Sequence, residues 1–377
     1  MKKIILVFGT RPEAIKMAPV FHELRKHSKK FKVIVCVSAQ HREMLDPVLE
    51  LFEISPDIDL DIMKDGQDLF DITSSILTKM KDVLAENNPD LVLVHGDTTT
   101  AFTTSLACFY LQIKIGHIEA GLRTNDMLSP FPEEFNRQVI SMVSELDFAP
   151  TNKNLNNLSK TKPNISITGN TVIDSLHWVL DKIESDKVMK DYVKNHINQT
   201  VDFDWEKEKF ILITGHRREN FGEGFLNICH AIADLAKKYK NVHFLYPVHL
   251  NPNVQIPVTN ILSNFSNIHL VKPLDYQFFV LLLKHSYIVL TDSGGIQEEA
   301  PSLGKPVLVM RDVTERQEAV EAGTVELIGT NRKRIVSSIS DLIDDSQKYE
   351  KIAVSTNPYG NGDAAKKIAE SIIDYFY

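Results

Sequence analysis

Cysteine is scarce in this chain. Its three cysteines, Cys36, Cys108 and Cys229, lie far apart in the sequence, and no two of them form a C-x-x-C pair. An odd number of widely spaced thiols argues against a disulfide framework and against a thiol-rich zinc site. The pattern favours a reducing compartment, so the sequence predicts a cytoplasmic location.

Long hydrophobic runs are absent as well. The run Ile4–Phe8 is typical of the chain, whereas a membrane-spanning helix needs about 20 apolar residues. The start, Met1–Lys3 followed by this run, superficially resembles a signal peptide. The run stops at Gly9, however, and Thr-Arg-Pro-Glu follows in place of a small-residue cleavage site. We therefore interpret the run as a first β-strand and expect no membrane partner.

An excess of basic residues is missing too. The 377 residues include 42 Lys and Arg against 50 Asp and Glu, which gives a formal net charge of −8. This balance disfavours a nucleic-acid-binding protein, although it is compatible with a local basic pocket for an anionic ligand. An apolar share of 43% indicates an ordinary globular protein, and the length suggests about two domains.

Several familiar site motifs do not occur. The sequence has no Walker A motif, no H-E-x-x-H, no G-x-S-x-G and no His/Cys cluster with metal-ligand spacing. Gly360–Ala365 spells G-x-G-x-x-A but follows no predicted strand, so it is poor evidence for a dinucleotide site. Asp57–Asp61 contains a D-x-D spelling, but its alternation of polar and apolar residues predicts a half-exposed strand. We expect neither a metal nor a nicotinamide cofactor.

Short runs rich in Val, Ile and Leu recur along the chain, each followed by a polar turn and a stretch of helical spacing. Runs without alternation predict strands covered on both faces, as in a parallel sheet. The predicted strands are Lys3–Phe8, Val33–Val37, Leu91–Val94, Ile113–Ile118, Ile165–Ile167, Phe210–Thr214, Val242–Tyr246, Ile268–Val271, Tyr287–Thr291 and Val307–Met310. The predicted helices are Glu13–His27, Thr99–Leu111, Glu133–Val143, Thr171–Lys182, Phe225–Lys238, Gly295–Leu303 and Ala364–Tyr377.

This β-α-β rhythm predicts an α/β protein with two Rossmann-like, doubly wound lobes. Residues 181–209 interrupt it, because they are rich in Lys, Asp, Glu and Asn and poor in apolar runs. We predict an N-terminal lobe over residues 1–180, a boundary region over 181–209 and a C-terminal lobe over 210–362. We also predict a final helix over 363–377, and the sequence leaves open on which lobe it packs.

Charged residues follow the predicted strands of the first lobe, where parallel sheets bind ligands. Arg11 and Lys16 come after the first strand, Asp97 and Glu119 after two others, and Glu133 begins a helix. Clustered carboxylates exchange protons and bases bind anions. The alternatives are ordinary surface charge for the bases, a helix cap for Asp97 and a first-turn acid for Glu133.

The second lobe presents a comparable set. Ser293-Gly294-Gly295 lies between a strand and a helix, where backbone N–H groups approach anions, or where Ser293 simply caps the helix. Glu299 suits either the helix dipole or ribose hydroxyls. His216 lies beside cations in the sequence. A histidine in this position suits proton transfer or phosphate binding, and the alternative is an ordinary histidine in a surface loop. His249 and Arg316 carry less weight.

Longer motifs then resemble one enzyme family. Phe8–Lys16 reads F-G-T-R-P-E-A-I-K, and Val94–Thr100 reads V-H-G-D-T-T-T. Together with six further segments, they resemble the non-hydrolysing bacterial-type UDP-N-acetylglucosamine 2-epimerases from about residue 3 to residue 375. The further segments are Ala39–Asp46, Gly116–Thr124, Thr214–Asn220, Tyr246–Pro252, Thr291–Leu308 and Asn357–Gly362.

The resemblance implies a glycosyltransferase-B-like fold with a ligand cleft between the lobes. It implies reversible conversion of UDP-N-acetylglucosamine (UDP-GlcNAc) to UDP-N-acetylmannosamine (UDP-ManNAc) without NAD or metal. UDP is eliminated across C1–C2 to give a 2-acetamidoglucal, and then adds back. A homodimer and a role in supplying sugars for surface polysaccharides are also implied.

The resemblance also assigns roles by position. The implied catalytic residues are Asp97, Glu119, Glu133 and His216. The implied substrate-binding residues are Arg11, Lys16, Arg137, His249, Phe279, Ser293, Gly294, Gly295, Glu299 and Arg316. Many bacterial members bind a second, activating UDP-GlcNAc, and Gln40, Arg217 and His249 lie in segments associated with that site. Leu274 and Gln317 depart from residues common in the family, near the uracil and after Arg316 respectively.

Three alternatives stay open from the residues. A nucleotide-sugar glycosyltransferase needs an acceptor, a hydrolysing epimerase releases free N-acetylmannosamine, and a nucleotide-sugar sensor has no turnover. The intact carboxylates at Asp97, Glu119 and Glu133 argue against a sensor. Products formed from UDP-GlcNAc alone separate all four functions.

Overall fold

The computed structural model describes residues 1–40, 42–64, 66–158 and 164–377. His41, in the family-like segment Ala39–Asp46, lies outside these residues. The chain forms two compact units: unit 1 comprises Met1–Ser175 and Tyr359–Tyr377, and unit 2 comprises Leu176–Pro358. This division differs from the predicted lobes of 1–180 and 210–362, because the chain passes into unit 2 inside a helix and residues 181–209 are part of that unit.

Unit 1 is built on a seven-stranded parallel sheet in the order β3-β2-β1-β4-β5-β6-β7. Its strands are β1 Lys2–Phe8, β2 Phe31–Val37, β3 Ile58–Asp59, β4 Leu91–His95, β5 Ile115–Ile118, β6 Leu146–Ala149 and β7 Ile165–Ile167. Its helices are α1 Arg11–Lys26, α2 Arg42–Leu51, α3 Leu69–Asn87, α4 Thr99–Tyr110, α5 Glu133–Val143 and α6 Asn152–Asn157, with α7 Thr171–Ser185 crossing into unit 2.

Unit 2 repeats this topology with six parallel strands in the order β10-β9-β8-β11-β12-β13. Its strands are β8 Phe210–Thr214, β9 His243–Pro247, β10 Ile268–Val271, β11 Ile288–Thr291, β12 Val307–Val309 and β13 Val325–Leu327. Its helices are α8 Lys187–Thr200, α9 Glu223–Lys238, α10 Pro252–Leu262, α11 Tyr276–His285, α12 Ile296–Ser302, α13 Gln317–Glu321, α14 Arg332–Asp344 and α15 Ser346–Ala353, with a 3-10 turn at Arg218–Asn220.

The strand order reverses at one place in each sheet. In unit 1, β1 pairs on one side with β2 and on the other with β4, and in unit 2, β8 lies between β9 and β11. Loops beyond the carboxyl ends of such strands diverge to opposite faces of the sheet and leave a crevice. The segments after β1, β4, β8 and β11 are therefore where each unit is shaped to receive a ligand.

The central strands are buried on both faces. Ile4–Phe8 of β1 is fully buried, and Ile4 pairs with Val33 of β2 and Leu91 of β4. Burial of an Ile, Leu or Val side chain is worth about 1.5–3 kcal/mol, which explains why such strands form from unbroken apolar runs. The predicted doubly wound α/β class with two Rossmann-like sheets is confirmed.

Segment Tyr359–Tyr377 returns to complete unit 1. Its helix, α16 Ala364–Phe376, packs against α1. The Asp174 carboxylate of α7 accepts hydrogen bonds from the backbone N–H groups of Ala364 (3.2 Å) and Ala365 (2.9 Å). Gly169 has a φ of +88°, and a Cβ there would lie 2.9 Å from the Tyr359 carbonyl oxygen, so glycine is required where the returning segment approaches.

No helix among the described residues combines the length and the apolar character that are needed to cross a membrane.

Candidate active site

A carboxylate and two basic side chains meet at the reversal point of unit 1. Glu119, which follows β5, lies 2.5 Å from the Lys16 Nζ of α1, and the same Oε2 atom lies 2.8 Å from the Nε2 of His95 at the end of β4. All three side chains are largely buried. In these surroundings the charge interactions are stronger than in water, so Glu119 and Lys16 form a tightly coupled pair.

Glu119 also has an unusual backbone. Its φ of +62° lies in the left-handed region, which costs a non-glycine residue roughly 1–3 kcal/mol. Residues held in this way are concentrated at functional sites. In this case the strained turn aims a carboxylate at Lys16 and His95 directly after a buried strand.

Asp97 is held by helix α5. Its carboxylate Oδ2 lies 2.7 Å from the Nη2 of Arg137, and its backbone carbonyl accepts a 2.9 Å hydrogen bond from the Asn136 side chain. Burial raises the pKa of Asp97; the Arg137 charge opposes the rise, and Glu119 adds to it. A carboxyl group whose pKa moves towards the working pH is suited to exchange protons with a substrate.

Arg137 is itself buried and has a second carboxylate neighbour. Its Nη1 lies 3.4 Å from Glu134, which is fully buried, while its Nε has no hydrogen-bond partner among the residues that the structure describes. Burial acts to raise the pKa of Glu134, but hydrogen bonds from Gln138 and Thr124 and the Arg137 charge outweigh it, so the pKa is lowered. Glu134 thus counterbalances a buried cation beside Asp97.

Glu133 differs from the other two carboxylates. It is the first residue of α5, it is half-buried, and it makes no ion pair with any described residue.

Arg11 begins α1 and is also half-buried. Gln40 accepts a 3.2 Å hydrogen bond from Thr100 of α4.

In unit 2 a buried aspartate organises the loop after β8. Asp292, at the end of β11, is fully buried, and its Oδ2 accepts hydrogen bonds from the backbone N–H groups of His216 and Arg217, each 2.8 Å, and from the Asn220 side chain at 3.3 Å. The His216 ring lies 3.8 Å from the other carboxylate oxygen and stacks on His249 with 5.1 Å between ring centroids. Partial burial lowers the pKa of His216, and Asp292 opposes this.

The glycine turn after β11 is covered by an arginine. A Cβ on Gly294 would lie 2.9 Å from the guanidinium carbon of Arg316, whose Nε donates a 2.9 Å hydrogen bond to Glu298. Glycine at 294 therefore allows a largely buried, paired cation to lie against the turn. The Ser293 carbonyl accepts from the Gln297 side chain (3.1 Å), which fixes the turn to α12.

The remaining predicted residues lie on helix α11 or beside it. The hydroxyl group of Tyr276 donates a 2.7 Å hydrogen bond to Glu299, so this carboxylate has a fixed orientation. Phe279 is half-buried, and Leu274 lines a pocket of about 390 Å³ together with His196 and Phe278.

The structure thus groups predicted residues in each unit. Unit 1 brings together Lys16, Asp97, Glu119 and Arg137. Unit 2 has two groups: one contains His216, Arg217 and His249, and the other contains Gly294, Arg316 and the turn before α12. The sequence alone assigned no role to Glu13, His95, Glu134 and Asp292. The signal that could have found His95 and Asp292 is a charged or polar residue directly after a fully buried strand, whereas nothing in the sequence distinguishes Glu134 from Glu133.

Comparison with known proteins decides the family. A sequence model described as UDP-N-acetylglucosamine 2-epimerase matches residues 22–373. A Campylobacter jejuni protein named UDP-N-acetylglucosamine 2-epimerase is 53% identical over 376 residues, which are 99% of this chain and 98% of that protein. The chain belongs to the UDP-N-acetylglucosamine 2-epimerase family. This confirms the predicted family and its class, the isomerases.

Solved structures agree with this assignment. The crystal structure of UDP-GlcNAc 2-epimerase from Neisseria meningitidis, bound to UDP-GlcNAc, is 52% identical with a TM-score of 0.91, and the match covers 99% of this chain and 100% of that chain. MurG of Acinetobacter baumannii is 12% identical with a TM-score of 0.62 and covers 99% of this chain and 100% of its own. The second likeness concerns the fold alone and supports the glycosyltransferase-B-like class.

Proposed function

We propose that this member of the epimerase family interconverts UDP-GlcNAc and UDP-ManNAc by eliminating UDP across C1–C2 and adding it back to a 2-acetamidoglucal. The observation that carries this proposal is the coupled set of Lys16, Asp97, Glu119 and Arg137 at the reversal point of unit 1. The solved Neisseria meningitidis relative is bound to UDP-GlcNAc, which supports the substrate.

The chemistry explains why more than one carboxylate is needed. The proton on C2 is only weakly acidic, so its removal is coupled to the departure of UDP. Inversion then requires a proton to be delivered to the opposite face of C2, and one carboxylate cannot occupy both faces. We assign these proton transfers to Asp97, Glu119 and Glu133 acting as general bases and acids.

The cations stabilise the charge that develops during elimination. As the C1–O bond breaks, negative charge accumulates on the leaving diphosphate, and positioned donors stabilise it. We assign this role to Arg11 and Arg316, together with His216. Lys16 and Arg137 hold the carboxylates in place through their 2.5 Å and 2.7 Å ion pairs.

We assign nucleotide binding to the turn after β11. Ser293, Gly294 and Gly295 present a backbone without bulky side chains, and the half-buried Phe279 supplies an aromatic surface for the uracil. Glu299, oriented by Tyr276, suits the ribose hydroxyls. Gln40, Arg217 and His249 stay predictions for a second, activating UDP-GlcNAc molecule.

We propose that the chain functions as a homodimer that assembles through unit 1. Helix α4 packs against both α3 and α5, and these three helices expose large apolar side chains. These are Phe70, Phe109, Tyr110, Phe135 and Met142. A second copy of the chain offers the same apolar surface, as a two-fold symmetric interface requires. A cytoplasmic location and a place in surface polysaccharide synthesis complete the proposal.

Incubation of the wild-type protein with UDP-GlcNAc as the only substrate, in D₂O and followed by NMR, tests the reaction. We expect UDP-ManNAc carrying deuterium at C2, because the proton carriers exchange with solvent. Accumulation of free N-acetylmannosamine and UDP would instead show the hydrolysing reaction. Product that retains the original C2 proton would contradict the elimination route, and no turnover without an added acceptor would favour a glycosyltransferase.

A further inference from the structure

Two neighbouring turns carry the proposed groups of unit 1. The turn between β1 and α1 leads into Arg11 and, one helical turn later, Lys16. The turn between β4 and α4 carries Asp97. Strands β1 and β4 are adjacent in the sheet, but adjacent strands do not by themselves fix the loops that follow them.

Glu13 bridges these two turns with its carboxylate. Its Oε2 accepts hydrogen bonds from the backbone N–H groups of Gly9 (3.0 Å) and Thr10 (2.9 Å) and from the Thr10 hydroxyl (2.8 Å). Its Oε1 accepts a 2.7 Å hydrogen bond from the hydroxyl of Thr98. The side chain is 1% exposed, so water does not compete for these bonds.

The bond to Thr98 has a fixed direction. The Thr98 hydroxyl oxygen accepts a 3.0 Å hydrogen bond from the backbone N–H of Ala101, because Thr98 is the N-cap of α4. Its proton is therefore available to Glu13, which accepts it. With Thr10, Glu13 also forms the capping box of α1. One carboxylate thus completes the N-terminus of α1 directly and that of α4 through Thr98.

We propose that Glu13 is a positioning residue for the epimerisation: it fixes the turn that carries Asp97 to the turn that carries Arg11 and Lys16. The inference rests on the proposed function, since it assumes that these groups act together on the substrate. Glu13 acts through Thr98 and the backbone and needs no contact with the substrate.

A carboxylate is specifically required at this position. A glutamine has one acceptor oxygen and one NH₂ donor. If its oxygen faces Gly9 and Thr10, its NH₂ faces the Thr98 hydroxyl and reverses the polarity of that bond. If the amide is turned around, the NH₂ faces two N–H donors. Burial raises the pKa of Glu13, and the hydrogen bonds from Thr98, Thr10 and Gly9 oppose the rise.

Steady-state kinetics of four variants test the proposal. Thr98→Val removes the bridge without changing the chemical groups through which Glu13 binds Gly9 and Thr10, while Glu13→Gln changes the bridge from the other side. We expect each to lower kcat by about 10- to 100-fold, as misplacement of reacting groups does, with KM within about twofold. The double variant should be no slower than the slower single variant, because both break one connection. Thr98→Ser, which keeps the hydroxyl, should restore most of the turnover.

The chain contains a matched control in α3. Asp68 and Asp71 form the same reciprocal cap at an exposed helix start, with bonds of 2.9 Å and 3.1 Å. Asp71→Asn should lower the melting temperature by about as much as Thr98→Val and leave kcat unchanged. Amide hydrogen exchange supplies a readout independent of turnover: Thr98→Val should increase the exchange of Gly9 and Thr10, on the far side of the bridge.

Two results would overturn the proposal. One is additive losses of kcat in the double variant; the other is kcat at the wild-type level in Thr98→Val with unchanged exchange of Gly9 and Thr10. If the wild-type protein does not convert UDP-GlcNAc, the proposed function fails. The exchange experiment then still decides whether Glu13 couples the two turns.

Discussion

At the scale of single residues, the proposed site contains two kinds of carboxylate. Glu119 and Asp97 are each paired with a buried cation, Lys16 and Arg137, at 2.5 Å and 2.7 Å. Glu133 has no such partner among the described residues. Removing one member of a buried pair leaves an uncompensated charge, which costs about 3–5 kcal/mol. A substitution at Glu119 therefore changes stability as well as chemistry.

This difference makes the first prediction. Glu133→Gln and Glu119→Gln should each lower kcat by at least about 10²-fold, the effect expected for a lost acid or base. Only Glu119→Gln should also lower the melting temperature, because Lys16 loses its partner. Steady-state assays and thermal unfolding of the same preparations measure both effects.

Glu23→Gln on α1, a substitution in an ion pair whose partner Lys26 is exposed, is the control and should change neither quantity. Normal turnover in Glu133→Gln would remove Glu133 from the mechanism. Equal melting temperatures for Glu119→Gln and the wild type would mean that the Lys16 pair contributes nothing to folding.

His216 gives a second prediction, about its pKa. Partial burial and the neighbouring His249 lower this pKa, and the Asp292 charge raises it. His249→Phe keeps a ring for stacking and removes the electrostatic effect of His249 that lowers the pKa of His216, so this pKa should rise. Asp292→Asn removes the negative charge that favours the imidazolium, so the pKa should fall further. NMR titration of the His216 ring, assigned by comparison with His216→Gln, measures both shifts. Shifts of the same sign in both variants would contradict the electrostatic account.

The sequence is informative about the residues that end strands and silent about those that hold them. Asp97 and Glu119 follow apolar runs, so the parallel-sheet pattern alone predicts that they lie at a ligand-binding edge. Glu13 reads as an ordinary first-turn acid, and only the structure shows its bond to Thr98 of another turn. Contacts between segments 85 positions apart leave no periodic trace in a sequence.

At the scale of secondary-structure elements, the attachment of α16 to α7 depends on one carboxylate. Asp174 is buried and accepts from the first backbone N–H groups of α16. Burial raises the pKa of Asp174 to about 6, against an ordinary value of 3.8, although the bonds from Ala365 and Ala364 oppose the rise. The folded protein therefore holds this proton more tightly than the unfolded chain does.

The third prediction follows from the sign of that shift. Stability contributed by Asp174 is fully present below the ordinary pKa of 3.8 and is lost as the pH rises through about 6. The loss amounts to about 3 kcal/mol. The side chain at position 174 cannot titrate in Asp174→Asn. The free energy of unfolding of this variant minus that of the wild type should therefore increase from about pH 4 to pH 7 and then stay constant. Urea unfolding across this range measures the difference.

The matched control is Asp181→Asn on the exposed part of the same helix, which makes the same chemical change away from the cap of α16. A wild-type advantage that grows with pH over Asp174→Asn would contradict the prediction, since it would mean that the ionised carboxylate stabilises the cap.

Apolar runs predict all but two of the strands, and these two exceptions show the limit of such patterns. Each predicted strand exists, and the alternating segment Asp57–Asp61 contains the short edge strand β3. Strand β6 escapes prediction because Asp147 interrupts its apolar run; in the structure this side chain is buried and accepts a 2.6 Å hydrogen bond from Ser144. Edge strand β13, whose middle residue is Glu326, escapes it for a similar reason. A buried polar partner is visible only in the folded chain.

At the scale of the whole molecule, the apolar side chains exposed on α3, α4 and α5 predict association. Phe109→Asp combined with Met142→Asp should shift the protein from dimer to monomer, because a charge would be buried in the interface. Light scattering coupled to size-exclusion chromatography measures the mass. Val188→Asp replaces an equally exposed apolar residue of unit 2 and should leave the dimer intact. A monomeric wild type, or a dimeric double variant, would place the interface elsewhere or remove it.

The discontinuity of unit 1 has a consequence for how the protein is made. The ribosome releases residues 1–175 first, but α16, which covers part of α1, belongs to residues 359–377. Residues 176–358 are synthesised in between, which takes roughly 10 to 40 s at about 5–20 residues per second. During that time α1 lacks the helix that covers part of it, whereas unit 2 is continuous and can finish folding as it emerges. The half of the protein that is translated first is therefore the half that is completed last.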